Sequence, residues 1–181
     1  RYTYGIDRNQ SLALRAGVGA IYSYGNMTVA PYSEQFYVGG ANSIRAFTVR
    51  SIGPGRFVPR NSRYAFMDQI GEFKLEMNAE YRFRLAGDLH GALFLDSGNV
   101  WLLRPDENRP GGSLQEITDA KDFFKQLALG SGVGLRYDLN YLVIRFDVGV
   151  GLHLPFETSR HGYYNLPKFA NSLGYHFAVG Y

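Results

Sequence analysis

The clearest pattern in the chain is the strict alternation of apolar and polar positions between Glu72 and Leu85. Phe73, Leu75, Met77, Ala79, Tyr81, Phe83 and Leu85 fall on one side. Glu72, Lys74, Glu76, Asn78, Glu80, Arg82 and Arg84 fall on the other. A helix, with a period of about 3.6 residues, would mix the two sets, whereas successive side chains of a strand point to opposite faces. The segment therefore reads as a strand with one apolar and one densely charged face.

Similar alternation recurs along the chain. Ser11–Tyr22 sets Leu12, Leu14, Ala16 and Val18 against Ala13, Arg15, Gly17 and Gly19. Leu89–Trp101 is less regular. Leu127–Asp138 sets Leu127, Leu129, Val133, Leu135 and Tyr137 against Gly130, Gly132, Gly134 and Arg136. Leu142–His153 sets Leu142, Ile144, Phe146, Val148, Val150 and Leu152 against Arg145, Asp147, Gly149 and Gly151. At the end, Leu173, Tyr175, Phe177, Val179 and Tyr181 alternate with Gly174, His176, Ala178 and Gly180. The pattern predicts about six strands, most of them as long as the roughly 9–11 residues that cross a bilayer.

The connections alternate as well. Loops of about 50, 25 and 20 residues interleave with tight turns at Ala86–Asp88 and around Leu139–Tyr141. Short turns at one end and long loops at the other are the habit of outer-membrane barrels, whose longer loops face outward. That polarity predicts an extracellular long-loop side and a C-terminus facing the periplasm. In a compact soluble domain, an irregular 50-residue connection would count against the assignment.

Alternation alone does not say which face points inward. A lipocalin-like barrel or an antiparallel sandwich would turn the apolar face inward and the charged face to water. The small residues favour a membrane barrel, because Gly and Ala gather with the charges while the opposite face is uniformly bulky. Six strands do not close a membrane barrel, whose smallest members have about 8. An open sheet in lipid would leave edge N–H and C=O groups unpaired. The chain also starts at Arg1 rather than Met, without a signal-peptide pattern. Residues 1–181 are accordingly expected to be the C-terminal portion of a transmembrane β-barrel domain whose other strands lie upstream.

Composition changes this picture little. There are 14 Tyr and 13 Phe but one Trp, and 22 Gly, which suits strands with an aromatic face and a small-residue face. No run approaches the roughly 20 apolar residues of a membrane helix. The net charge of +3 is spread without a basic run, which speaks against nucleic acid. The absence of Cys excludes disulfides and thiolate metal sites. His90, His153, His161 and His176 lack metal-ligand spacing. Ser131, between Gly130 and Gly132, lies mid-strand and not at a nucleophile elbow. Glu80 and Asp96 could form an acid–base carboxylate pair, but a structural role is the better reading. No enzyme activity and no cofactor are predicted.

Within the first long loop the chain reads Gln35-Phe36-Tyr37-Val38-Gly39-Gly40-Ala41-Asn42-Ser43-Ile44-Arg45-Ala46-Phe47, then Ser51-Ile52-Gly53-Pro54-Gly55. This resembles the BamA/TamA superfamily of outer-membrane assembly factors (bacterial surface antigens), whose sixth extracellular loop carries a Val-Arg-Gly-Phe/Tyr motif. Ile44, Arg45, Ala46 and Phe47 stand at its positions. Ala79-Glu80-Tyr81 and Phe94-Leu95-Asp96-Ser97-Gly98-Asn99-Val100-Trp101 are similar to the family's next two strands, and the aromatic end at Tyr181 fits its last strand. The similarity runs from about Leu12 to Tyr181 and would correspond to the last six of sixteen strands.

The resemblance implies that the long loop folds into the lumen and that Arg45 meets Glu80 and Asp96 on the wall. The alternation independently puts Glu80 on the charged face; Asp96 shares its face with His90 and Phe94, and its direction stays open. Ala46 replaces the motif's Gly, which would be costly if that position needs a positive φ. The resemblance further implies a function in inserting other barrels, with outer-membrane lipids, unfolded β-barrel clients, and accessory lipoproteins or periplasmic partners. A weak seam would lie at the last strand, formed by Leu173, Gly174, Tyr175, Phe177, Val179, Gly180 and Tyr181. Gly174 and Gly180 either weaken that strand or relieve crowding inside the barrel. A two-partner secretion transporter and a passive porin or surface barrel remain the alternatives.

Overall fold

The computed structural model describes residues 1–27, 29–58, 65–166 and 172–180. Seven strands form one antiparallel sheet in sequence order. They are β1 (Tyr2–Gly5), β2 (Gln10–Ala20), β3 (Phe73–Ala86), β4 (Leu89–Trp101), β5 (Ala128–Asp138), β6 (Val143–His153) and β7 (Leu173–Gly180). A short helix, α1 (Ala120–Lys125), and 3-10 turns at Ala65–Met67 and Leu114–Glu116 lie in the long loops. Among the described residues no helix is long and apolar enough to cross a membrane.

Seven strands replace the expected six. The extra one, β1, has four residues, too few for alternation to reveal, and is defined by pairing Tyr2–Gly5 against Leu14–Ser11. The first long strand is Gln10–Ala20 rather than Ser11–Tyr22, since pairing with β3 ends at Ala20↔Phe73. The fifth starts at Ala128 and the sixth at Val143, each one residue later than the pattern suggested. Both tight turns are present, and in the second the left-handed position is taken by Asn140 (φ 66°), whose N–H donates to Asp138 Oδ1 at 2.9 Å. Asn tolerates that conformation better than most side chains.

The two faces of the sheet are unlike. Val18, Leu93, Leu95, Val133, Leu135, Phe146, Phe177 and Val179 are exposed on one side, while Glu76, Asp96 and Asp147 on the other are almost completely buried. What buries them is the β2–β3 loop, which lies across the charged face. The apolar core is therefore not between two apolar sheet faces. It is a cluster of Val38, Ile44, Ala46, Phe47 and Ile52 from the loop with Val100 and Ala128 from the wall. A lipocalin-like interior or a sandwich would need the bulky faces packed together, and they are not.

Register aligns the charged-face residues into transverse rows. Ala13, Glu80, Phe94, Gly132, Gly149 and Gly174 form one row across β2 to β7. Asn78, Asp96 and Gly130 belong to the row on one side of it, and Arg82, Ala92, Gly134, Asp147 and His176 to the row on the other side. In the first row the side chains shrink to hydrogen toward β7, leaving a trough in which a peptide chain can lie.

Candidate functional site: a loop locked to the inner wall

The loop reaches the wall through a compact turn. Gly40 N–H donates to the Phe47 carbonyl at 2.8 Å, Phe47 N–H to that of Ile44 at 3.1 Å, and Arg50 N–H to that of Val38 at 3.0 Å. The turn needs Gly39 (φ 98°), where a Cβ would stand 2.1 Å from the Thr48 carbonyl oxygen. Ser43 ties the turn down twice, accepting from Gly39 N–H at 3.0 Å and donating to Glu76. Arg45 is thereby presented at the tip.

Arg45 is buried and its guanidinium is saturated by carboxylates. Nε and Nη2 donate to Oδ2 and Oδ1 of Asp96, both at 2.8 Å, and the backbone N–H of Arg45 reaches Oδ2 at 3.0 Å. Nη1 donates to Glu80 Oε2. Asp147 Oδ2 lies 4.0 Å from the same Nη1, and the Phe94 ring lies under the guanidinium with its centroid 3.8 Å from Cζ. Burial works against the charge, but the hydrogen bonds to Asp96 and Glu80 and their charges outweigh it, so the Arg45 pKa is raised above its ordinary value.

The wall has its own support. Arg136 donates from Nη2 to Glu80 Oε2 at 3.0 Å and from Nη1 to Asp147 Oδ1 at 2.6 Å. Arg82 Nε donates to Glu80 Oε1 at 2.7 Å. Asn78 Nδ2 donates to Asp96 Oδ1 at 2.9 Å and to the Ser43 carbonyl at 2.8 Å. Three guanidiniums (Arg45, Arg82, Arg136) thus meet three carboxylates (Glu80, Asp96, Asp147) in one connected cluster. Breaking a buried, hydrogen-bonded set of this kind by removing one partner costs on the order of 3–5 kcal/mol.

Ile44 and Phe47 flank Arg45 in the apolar cluster. Ala46 has no positive φ; among the described non-glycine residues only Arg50 and Asn140 do. The anticipated cost of a side chain there is therefore absent. Instead the Ala46 methyl fills the space above Gly130, whose own Cβ would come within 2.3 Å of it. At Gly149 a Cβ would stand 2.8 Å from both Ala46 Cα and the Arg45 carbonyl oxygen, and at Gly174 3.0 Å from that oxygen. Gly174 therefore makes room for the loop tip, whereas nothing lies within 4 Å of a Cβ at Gly180.

In β7, Leu173 is half-buried and Tyr175, Phe177 and Val179 are exposed on the apolar side. β7 pairs with β6 alone among the described strands; Tyr181 lies outside the described residues. Sequence reasoning overlooked Arg136, Asp147 and Asn78 as members of the cluster. A signal existed for two of them, because Arg136 and Asp147 are charges set among glycines on the loop-facing sides of β5 and β6.

A sheet with an exposed apolar face, a charged inner face and a loop sealed onto it by ion pairs is part of a transmembrane β-barrel. The chain belongs to the Omp85 superfamily, whose domain model matches residues 1–177. It is 28% identical over 129 residues to the outer membrane protein assembly factor BamA of Neisseria meningitidis serogroup B, an alignment covering 66% of this chain and 16% of that protein. The chain thus spans about a sixth of this curated relative. Among solved structures, BamA of Haemophilus ducreyi lacking POTRA domains 1–3 superposes with a TM-score of 0.65 at 13% identity, over 98% of this chain and 33% of that one. CdiB of Acinetobacter baumannii superposes with a TM-score of 0.51 at 16% identity, over 98% and 25%. These two likenesses establish the fold, that of the C-terminal part of such a β-barrel.

Proposed function

We propose that this chain is the C-terminal barrel portion of a protein that inserts other β-barrel proteins into the bacterial outer membrane. The observation that carries the reading is the clamp of Arg45 by Asp96 and Glu80, which fixes the long loop inside the lumen. A lumen filled by an ion-paired loop is a poor passive pore. It is a good internal brace, because it ties the β2–β3 loop to β3 and β4 by charge and to β5, β6 and β7 by close packing. The sequence likeness to BamA supports assembly over secretion.

On this reading the remaining strands and periplasmic repeat domains precede Arg1, the long loops are extracellular and the C-terminus faces the periplasm. Leu173–Tyr181 forms the last strand of the barrel, and its free edge can template an incoming strand by β-augmentation. Partners are outer-membrane lipids, unfolded β-barrel clients, and accessory lipoproteins or periplasmic factors. Glu80 and Asp96 act as counter-ions for Arg45 and not as an acid–base pair. The likeness to CdiB supports a second reading, a two-partner secretion transporter using the same locked loop.

The experiment is to place Arg45→Ala in the full-length protein and quantify several barrel proteins in outer membranes. Reduced levels of many clients, with the variant itself still inserted, support assembly. Normal client levels with loss of one secreted polypeptide favour the transporter.

A further inference from the structure

The docked turn makes two further hydrogen bonds to the wall, and both end on one residue outside the Arg45 cluster. Arg15 Nη1 donates to the Asn42 carbonyl at 2.6 Å, and Arg145 Nη2 donates to Asn42 Oδ1 at 2.7 Å. Arg15 stands on β2 and Arg145 on β6. Among the described residues, the turn's other hydrogen bonds to the strands end on β3 and β4. Bonds to two adjacent strands add little to what their own ladder fixes. One bond to β2 and one to β6 span the three strands between. Arg15 shares a row with Asn78, Asp96, Gly130 and Gly151, and Arg145 lies six positions from Gly151 along β6. In a flat sheet the two backbones would be parted by four inter-strand steps, roughly 19 Å, and by about 20 Å along the strands. Their guanidiniums instead converge on one asparagine, so the sheet curls around the loop and Asn42 lies within the curl.

We propose that Asn42 is a positioning residue: its side chain hangs β6 from the docked loop, and through the loop from β2, and so limits how far β6 and the edge strand β7 swing outward. β7 follows β6, because β6 is its one partner among the described strands. Asparagine suits the task, since its amide oxygen accepts from Arg145 while its main-chain carbonyl is left for Arg15. The bridge is the weaker of the loop's two fastenings. Asn42 is exposed and, with Arg15 and Arg145, borders a cavity of about 780 Å³, so water competes for its bonds. The Arg45 clamp is buried, and its hydrogen bonds are stronger for it. The loop therefore stays docked when β6 is let go. The consequence for client insertion rests on the assembly reading, in which the edge of β7 is presented to an incoming strand; the brace itself does not.

The test is double electron–electron resonance on the purified full-length protein in detergent micelles. Nitroxides are placed at Val18→Cys on β2 and Val179→Cys on β7, both on the exposed apolar face. The parent should give one narrow distance. Asn42→Ala, which removes only the bond to Arg145, should widen the distribution toward longer distances by about 5 Å, one strand spacing. Arg145→Ala should do the same and the double variant no more, since each deletes the same bond. Asn42→Asp keeps the acceptor and should keep the narrow distance. Protease cleavage within residues 29–58 should stay at the parent's rate in Asn42→Ala, because the Arg45 clamp remains. Heat-modifiable gel migration identifies folded variants, and if Asn42→Ala is not among them, Arg145→Ala tests the same bond. An unchanged distribution in either variant overturns the inference. So does a loop cleaved in Asn42→Ala as fast as in Arg45→Ala, which would make Asn42 an ordinary docking contact. Normal client levels in Arg45→Ala, beside the expected distances, would instead sink the assembly reading and leave the brace standing.

Discussion

Both carboxylate oxygens of Asp96 are held by Arg45, Oδ2 by Nε and Oδ1 by Nη2, each at 2.8 Å. The same Oδ2 accepts the Arg45 backbone N–H at 3.0 Å. One wall carboxylate thus fixes the main chain of the loop tip as well as its side chain. A planar guanidinium fits this arrangement in a way that an ammonium does not.

Removing that carboxylate should free the tip even though Glu80 remains. In Asp96→Asn the loop-docked state is expected to lose about 3–5 kcal/mol, because one charge of a balanced buried cluster has gone. Limited proteolysis of the folded full-length protein should show faster cleavage within residues 29–58. Unchanged cleavage would mean that apolar packing by Ile44, Phe47 and Ile52 suffices to hold the loop.

The clamp should tolerate alkali. Because the Arg45 pKa is raised by its partners, its contribution is complete below the unfolded value and is lost only as pH rises through the folded one. Both lie well above the working range, so cleavage of the loop should not change between about pH 7 and 10. Lys keeps the charge but loses the fork that holds both Asp96 oxygens, and its ordinary value of about 10.4 lies much closer to the working range. Arg45→Lys should therefore show faster cleavage than the parent already at about pH 7, and a further rise only above about pH 10.4, where the ammonium begins to lose its charge. A variant as alkali-resistant as the parent would argue against a buried charge clamp.

The glycines under the tip should be unequal. Gly149→Ala pushes a methyl into Ala46 Cα and the Arg45 carbonyl oxygen, a backbone collision expected to cost about 1–3 kcal/mol. Gly180→Ala meets nothing within 4 Å and should leave docking unaltered. Equal protease sensitivity of the two variants would contradict the close approach of loop and wall.

Restoring glycine at position 46 should not help. Ala46 lacks a positive φ, so Ala46→Gly relieves no strain, adds freedom to the unfolded chain and removes a methyl that packs over Gly130. A loss of about 0.5–1 kcal/mol in stability is expected, measurable by urea unfolding in micelles. A gain would show that the tip is strained in a way its dihedrals do not reveal.

Much of the architecture was legible in the order of residues. A two-residue period is a local property, so Glu72–Leu85 announced β3 and both of its faces without reference to anything distant. The short-turn and long-loop rhythm gave sequential antiparallel pairing, and the loop motif with its similarity to a known family directed attention to Arg45, Glu80 and Asp96. β1 escaped because four residues carry no readable period, and its existence depends on β2 lying alongside.

What the order of residues left open was decided by the third dimension. Alternation is symmetric between inside and outside, and only the loop lying over Glu76, Asp96 and Asp147 distinguishes the faces. Arg136 and Asp147 are 91 and 102 residues beyond Arg45 by their numbers, and no local pattern connects them; strand register brings Arg136 to the Glu80 carboxylate that Arg45 also holds, and Asp147 to Arg136. The glycines of β5 to β7 could equally have meant a loose strand. At Gly130, Gly149 and Gly174 the reason is room for a peptide chain, and steric room at a contact between distant segments is a property that a linear pattern does not encode.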